Sequence, residues 1–496
     1  MDSTTRPIHS QQGGPQAVAW YIAAIAACFA VYFVNGGALY YFDTGGYFEQ
    51  GFSVFKSLGY SPGGAEDAAA GAGAADDDGK VVGSRSVFYS LLLTASVVFA
   101  RVDLALLIQV LALVLIVVLV ARVSVRTIGG RFSAATVTGV TVLAASLGSL
   151  PFYTVYLMPD IFAPILLLVA AVLTGFVRHM RPWEILLALG LGMMSVVMHP
   201  SHLVMAALIV PVSLLAALLL DRRRFWVAPL LLSLIAGGGA AERVLFKVTV
   251  ETVKSSEVVY RPFLTARLIE DGPGYDYLAA HCATDPGPTC ALFEALGRSD
   301  DPWRLTASHI MFERSAELGS FQLMSAEDQR RVAGDQVSFF VSVLLDRPIS
   351  TAGAFLKNTL EQANLFSIQM TIPDARILEQ VRGITSHAPA GFDDIRLLHS
   401  RGWIRALDMV HSLVYAVSAF LIMAYILWPR EAPPAEIRVV VLMLLLGIAI
   451  NAFVCGGISQ PADRYGARVI FLLPFSAALL LLFSKHTQHL AQRPSG

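Results

Sequence analysis

Asp43, Asp160, His199, His202, Arg464 and Arg468 each stand at the edge of a long apolar run, where a chain that crosses a bilayer would meet water. Carboxylates, imidazoles and guanidiniums are the groups of proton transfer and anion binding. Arg464 and Arg468, in QPADRYGAR, are four residues apart, so one helical face can aim both at the same anion. Their planar forks suit phosphate through paired, charge-assisted hydrogen bonds. Pairing with Asp463 and other outer carboxylates, or with lipid headgroups, is the competing reading. His199 and His202, in HPSH, share a face at a helix start that Pro200 favours. Two histidines fall short of a zinc site, and hydrogen bonding to phosphate or substrate suits them as well. If the chain is helical after Asp43, Tyr47 and Gln50 share its face while Glu49 lies about 120° away. Asp43 then has no carboxylate partner on its own helix.

The elements that must position these residues follow from hydropathy. The chain has 496 residues, of which 55% are hydrophobic and only 15% charged, with a mean hydropathy of +0.61. A water-soluble fold could not hide that much apolar surface. A net charge of −1 gives no basic field for nucleic acid, so no nucleic-acid partner is expected and the partners begin with membrane lipids. Crossing a bilayer takes roughly 17 to 25 apolar residues. Runs near that length occupy 17–39, 102–121, 132–150, 161–177, 183–198, 203–220, 226–246, 404–428, 439–456 and 467–484. The shorter run 85–100 reads as a re-entrant or interfacial helix. The expected fold is therefore an all-α polytopic membrane protein with about ten transmembrane helices.

With a cytoplasmic tail at 1–16, the inner segments carry Arg6, Arg122, Arg126, Arg131, Arg178, Arg181, Arg222, Arg223, Arg224, Arg430, Arg438, Lys485 and Arg493. The short outer turns 151–160 and 199–202 carry no Lys or Arg. That asymmetry fits the positive-inside rule and places both ends of the chain, including 486–496, in the cytoplasm. It also sends the six boundary residues to the extracytoplasmic side. A lone charge at a helix end usually reaches headgroups; the convergence of six on one side favours a site.

The chain then divides into a transmembrane module at 17–248, an outer domain at 249–400 and a second transmembrane module at 401–485. The first outer loop, 40–101, contains GGAEDAAAGAGAADDDG, which cannot bury a core. Asp76, Asp77 and Asp78 in it could take a divalent cation, and a solvated linker is the competing reading. The outer domain is expected to be small and mainly helical, with amphipathic stretches near 335–346 and 350–366. Cys282 and Cys290 flank a Pro/Gly-rich turn there and are expected to pair as a disulfide. Cys28 and Cys455 read as packing residues within spans.

FDTGGYF after the first span, RSVFYSLLL at 85–93, MPD at 158–160, HPSH at 199–202 and DRYGARVIFLLP at 463–474 resemble the GT-C glycosyltransferases in order and placement. These are multi-spanning enzymes that take a sugar from a polyprenyl-phosphate carrier at the outer face. The likeness covers roughly residues 17–248 and 404–485. It implies a plasma (inner) membrane glycosyltransferase with an extracytoplasmic active site and a glycan, lipid or protein acceptor. Asp43 matches the position of the general base, although Thr44 stands where a second acid often follows and the Ala/Gly/Asp insertion has no counterpart. The resemblance further implies an inverting displacement, with Arg464 and Arg468 on the departing phosphate. Arg85, Tyr89, His199 and His202 would contact the donor, and Asp160 would orient the acceptor or assist the base. It requires no certain cofactor. A lipid or oligosaccharide flippase and a non-catalytic cell-envelope assembly subunit are the other classes this composition allows; a flippase should carry charges near the bilayer midplane, where these runs have few.

Overall fold

The computed structural model describes residues 14–57, 59, 80–83, 85–99, 101–129, 132–220, 225–253, 257–315, 317–373, 376–377, 402–428 and 433–484. The Ala/Gly/Asp stretch with Asp76, Asp77 and Asp78, the basic residues Arg6, Arg131, Arg222, Arg223, Arg224, Arg430, Lys485 and Arg493, and the end of the outer domain lie outside them.

Among the described residues, seven helices are long and apolar enough to cross a membrane, or eight if one bent pair counts as a span. The seven are Asp103–Ile128, Pro159–His179, Pro200–Leu220, Val227–Thr252, Gly402–Leu427, Ala435–Ile458 and Asp463–Phe483. The other three apolar runs form shorter helices, Gly14–Cys28, Ala134–Ser146 and Pro182–Met198. The first stops at Phe29, whose backbone (φ −91°, ψ 5°) departs from helical angles while keeping its bonds to Ile25 and Phe33, before Ala30–Asn35 resumes, and the second ends in the turn at Leu147 and Gly148. The run at 85–100 is the helix Val87–Phe99.

Burial orders these helices. Every residue of Phe162–Phe176 is buried, so this helix, apolar all round, is the axis of the bundle. Gly402–Leu427 is largely open, with Met409, Leu413 and Phe420 exposed, as are Leu186, Leu215, Leu219 and Leu245 on other helices. A belt of this kind is tolerated only against lipid. The chain is thus a multi-pass, all-α membrane protein.

The two ends of the axial helix differ in charge. At its C-terminal end, Arg178 meets Glu436 at 2.7 Å, and Arg126 grips buried Glu184 with two contacts of 2.6 Å. Glu184 also accepts the backbone N–H of Arg181 at 2.7 Å, closing the start of its own helix. At the other end stands Asp160. The eighteen residues from Asp160 to Arg178 separate the clusters by about 27 Å at 1.5 Å per residue.

Residues 257–373 build a second core around Leu268, Ile310, Phe321, Val332 and Val343, from helices that include α1 (Ala326–Asp346) and α2 (Pro348–Asn364). Cys282 and Cys290 are joined as a disulfide, as expected. Strand β1 (Lys80–Val82), ending the first loop, pairs in parallel with β2 (Glu257–Val259), opening this unit.

Glu184→Gln is expected to lower stability by roughly 1–3 kcal/mol, because charge-assisted bonds to a buried acceptor are lost. Thermal unfolding in detergent reads it; an unchanged midpoint would show that the Arg126–Glu184 pair does not fasten this end.

Candidate functional site

The helix α3 (Phe42–Ser57) starts the site, and its position is set by a hydroxyl and a backbone bridge. Thr44 Oγ1 accepts from the Tyr41 N–H at 2.9 Å and donates to the Leu157 carbonyl at 3.1 Å. Leu39 donates to Val155 and accepts from Leu157, each at 2.9 Å. The segment before Asp43 is therefore tied to the segment before Asp160. Thr44, standing where a second acid was expected, is the tie.

Asp160 begins the turn into the axial helix and is buried. Arg464 and Arg468 reach it from Asp463–Ile470: Arg468 Nη1 is 3.3 Å and Arg464 Nε 3.6 Å from Asp160 Oδ1. Arg464 Nη1 also lies 3.4 Å from Asp43 Oδ2, while Arg85 Nη2 lies 3.1 Å from Asp43 Oδ1. One chain of ion pairs thus runs Arg85, Asp43, Arg464, Asp160, Arg468. The carboxylate partner missing from the helix of Asp43 is supplied in space by Asp160, through Arg464.

Glycine and aromatic residues shape the approach. A Cβ at Gly46 would run into the guanidinium of Arg85, so the second glycine of FDTGGYF makes room for the Arg85–Asp43 pair. The Arg464 guanidinium lies over Tyr41 at 4.7 Å and Tyr465 at 4.9 Å, favourable placements for a cation. Asp43 keeps 28% of its side chain exposed, whereas Asp160 and Arg468 are closed off. The carboxylate open to a partner is Asp43.

His199 and His202 face each other with ring centroids 5.3 Å apart, both within electrostatic reach of Arg468. His202 Nδ1 spends its proton on the Ser195 carbonyl at 2.8 Å, which leaves Nε2 as a buried acceptor with no protein partner. Asp160 Oδ2 is likewise buried without one. Tyr89 is brought near the site but not into it: its hydroxyl donates to Gln109 at 2.8 Å and its ring packs on Tyr47 and Phe162. No cluster of three or more metal-ligating side chains occurs among the described residues.

Several supporting residues were not singled out from sequence. Asn451 accepts two bonds from Arg468, at 2.8 and 3.1 Å, and donates to the Tyr465 carbonyl at 2.7 Å. After it the helix widens into a π turn, Phe453–Ile458, which sets Cys455 Sγ 3.2 Å from Arg468 Nη2. Arg243 pairs with Glu242 at 3.4 Å and donates to the Gly83 carbonyl at 3.2 Å. The two charges inside the apolar run 226–246 were the available signal for that pair. For Asn451 the available signal was its standing as the one amide in the apolar run 439–456.

No protein family, curated protein or solved structure matches the chain.

The ion-pair chain joins three arginines to two aspartates, with Glu49 within electrostatic reach of Arg85. It is suited to an anion that meets a partly exposed carboxylate. Asp160→Asn is expected to cost about 3–5 kcal/mol by leaving buried arginines uncompensated, and adding Arg468→Met should recover much of the loss. Thermal unfolding of the single and double variants checks this. An additive double variant would disconnect Asp160 from Arg468.

Proposed function

We propose that this chain is an inverting membrane glycosyltransferase that moves a sugar from a polyprenyl-phosphate donor to a glycan, lipid or protein acceptor at the extracytoplasmic face. The observation that carries the reading is the pairing of partly exposed Asp43 with Arg464, whose helix also carries Arg468. A base for the acceptor and cations for the leaving phosphate then adjoin within one cluster, beside a lipid-facing bundle that suits a polyprenyl chain.

In this mechanism the acceptor hydroxyl oxygen attacks the anomeric carbon while Asp43 takes its proton. The bond from that carbon to the phosphate oxygen breaks, and the electron pair leaves with the lipid phosphate. Arg464 and Arg468 stabilise the negative charge that develops there. A phosphate competing for Arg464 and Arg85 releases the Asp43 carboxylate for the incoming hydroxyl. Asp160, closed off behind the two arginines, holds them in place for that phosphate. Holding both substrates in line supplies a further share of the rate.

The topology of this reading has ten crossings, counting Gly14–Asn35, Ala134–Ser146 and Pro182–Met198 as short spans, with both chain ends in the cytoplasm of a bacterial-type inner membrane. Residues 249–400 then face outward. The paired basic end, with Arg126 and Arg178, lies on the cytoplasmic side as the positive-inside rule requires.

Transfer from radiolabelled polyprenyl-phosphate sugars in membranes is the test. Asp43→Asn at matched expression should reduce transfer by roughly 10²- to 10⁴-fold, the usual contribution of a positioned base. Unchanged transfer would remove Asp43 from that role. No transfer from any donor by the unmodified protein would overturn the enzyme reading in favour of a lipid transporter or assembly subunit. Gly46→Ala, which displaces Arg85 without touching Asp43, is expected to lower transfer while leaving the unfolding temperature nearly unchanged.

A further inference from the structure

Helices α1 (Ala326–Asp346) and α2 (Pro348–Asn364) turn through 116° and together are long and apolar enough to count with the spanning helices. At about 100° per residue, α2 sorts its side chains into three faces. Thr351, Phe355, Asn358 and Gln362 form the packed face: Phe355 and Asn358 lie against Gly457 and Gly456 of the π turn, and Gln362 bonds the N–H and the carbonyl of Ala462, each at 2.9 Å. Ser350, Lys357 and Glu361 lie on a second face and line a polar cavity of about 580 Å³. Ile349, Leu356 and Leu360 form the third, opposite the packed one, and all are exposed.

On α1, Val337, Val341 and Leu345, spaced four apart, continue this apolar stripe to the bend, and all are exposed. Leu345 is 78% and Ile349 88% exposed. A contiguous stripe of large apolar side chains is not kept facing water.

The neighbours of the stripe indicate what covers it. The packed face of α2 sits on the π-turn end of the spanning helix Ala435–Ile458, with the ring of Phe355 5.9 Å from that of Phe453, which is itself exposed. The stripe therefore continues the lipid-facing surface of the bundle. Charge fixes its depth. Asp346 and Arg347 occupy the bend, Arg347 paired with Asp346 at 3.3 Å and near Asp276 at 3.8 Å, and Lys357 and Glu361 edge the stripe. Such groups keep the elbow out of the hydrocarbon centre, whereas apolar and charged faces side by side suit the boundary between headgroups and acyl chains.

We propose that the α1–α2 elbow is an interfacial membrane anchor, with bilayer lipid covering Val337, Val341, Leu345, Ile349, Leu356 and Leu360. Because Gln362 grips Ala462 two residues before Arg464, the depth of the elbow in lipid also sets the depth of the arginine pair. This inference stands apart from the glycosyltransferase reading.

Leu345→Cys, Ile349→Cys and Leu356→Cys in the full chain, with Asp300→Cys on an exposed polar turn as control, can be labelled with a thiol-reactive environment-sensitive fluorophore. The native free thiols Cys28 and Cys455 are buried. The labelled proteins are reconstituted into phosphatidylcholine–phosphatidylglycerol vesicles with or without acyl-brominated lipids. Brominated lipid should remove most of the emission at the three stripe positions and little at Asp300→Cys, and aqueous iodide should do the reverse. Stripe labels quenched by iodide as readily as the control would overturn the proposal by placing the stripe in water. Labels shielded from both quenchers would overturn it by placing another protein, or a second copy of this chain, on the stripe.

Discussion

The rest of the site depends on keeping Asp160 charged-partnered inside an apolar bundle. Removing a carboxylate and two guanidiniums from water costs several kcal/mol per ion unless their geometry and secondary hydrogen bonds offset it. The protein meets that condition from several elements at once. Arg468 is held by Asn451 as well as by Asp160, Arg464 is shared between Asp160 and Asp43 and flanked by two tyrosine rings, and Asp43 is shared in turn with Arg85. Displacing one member disturbs the next. A single buried carboxylate thus ties together the start of the axial helix, the first outer helix and the last span.

The unit at 257–373 joins the same arrangement through backbone contacts that only glycine permits. Gly456 and Gly457 let α2 lie against the π turn, and Gly466 lets the Leu365 carbonyl approach the arginine helix; a Cβ at any of the three would collide with its neighbour. Gln362 then fixes Ala462 on both sides of its peptide group, and Asp463 accepts the Ser367 N–H at 3.0 Å. The helix carrying Arg464 and Arg468 is therefore held by α2 from one side and by Asn451 from the other.

Much of this was legible in the sequence, for stated reasons. Hydropathy finds apolar helices because lipid exposure demands long uninterrupted runs, and all ten expected runs are helices. Whether a run clears the length of a full span is a backbone matter: the bend at Phe29, the turn at Leu147 and the 17-residue helix Pro182–Met198 leave seven of the ten as full-length candidates among the described residues, and the eighth is the bent pair at 326–364, outside those runs. Boundary charges were equally visible, since they violate the local apolar pattern, and the structure gathers Asp43, Arg85, Asp160, Arg464 and Arg468 into one ion-pair chain with the two histidines beside it. Gln362 was invisible because an amide on an amphipathic helix breaks no local pattern, whereas Asn451 does interrupt the apolar run 439–456 and could have been found there. Thr44 was misread by expectation: it stood out as a missing acid, and only its bond to Leu157, far along the chain, reveals the work it does.

The two ends of the axial helix differ in how completely their buried charges are satisfied by the protein. At the basic end one carboxylate meets one guanidinium, both oxygens of Glu184 accept short bonds, and the surplus valence goes to a backbone N–H that closes a helix. Such a pair is complete and needs nothing further. At the opposite end three guanidiniums face two carboxylates, and Asp160 Oδ2, Arg464 Nε and His202 Nε2 are buried without a hydrogen-bond partner from the protein. Each such group carries a desolvation cost of about 1–3 kcal/mol that a purely structural cluster has every reason to shed. The unsatisfied atoms, rather than a count of charges, are what distinguish this cluster from the closed Arg126–Glu184 pair, whose oxygens are all used within the protein.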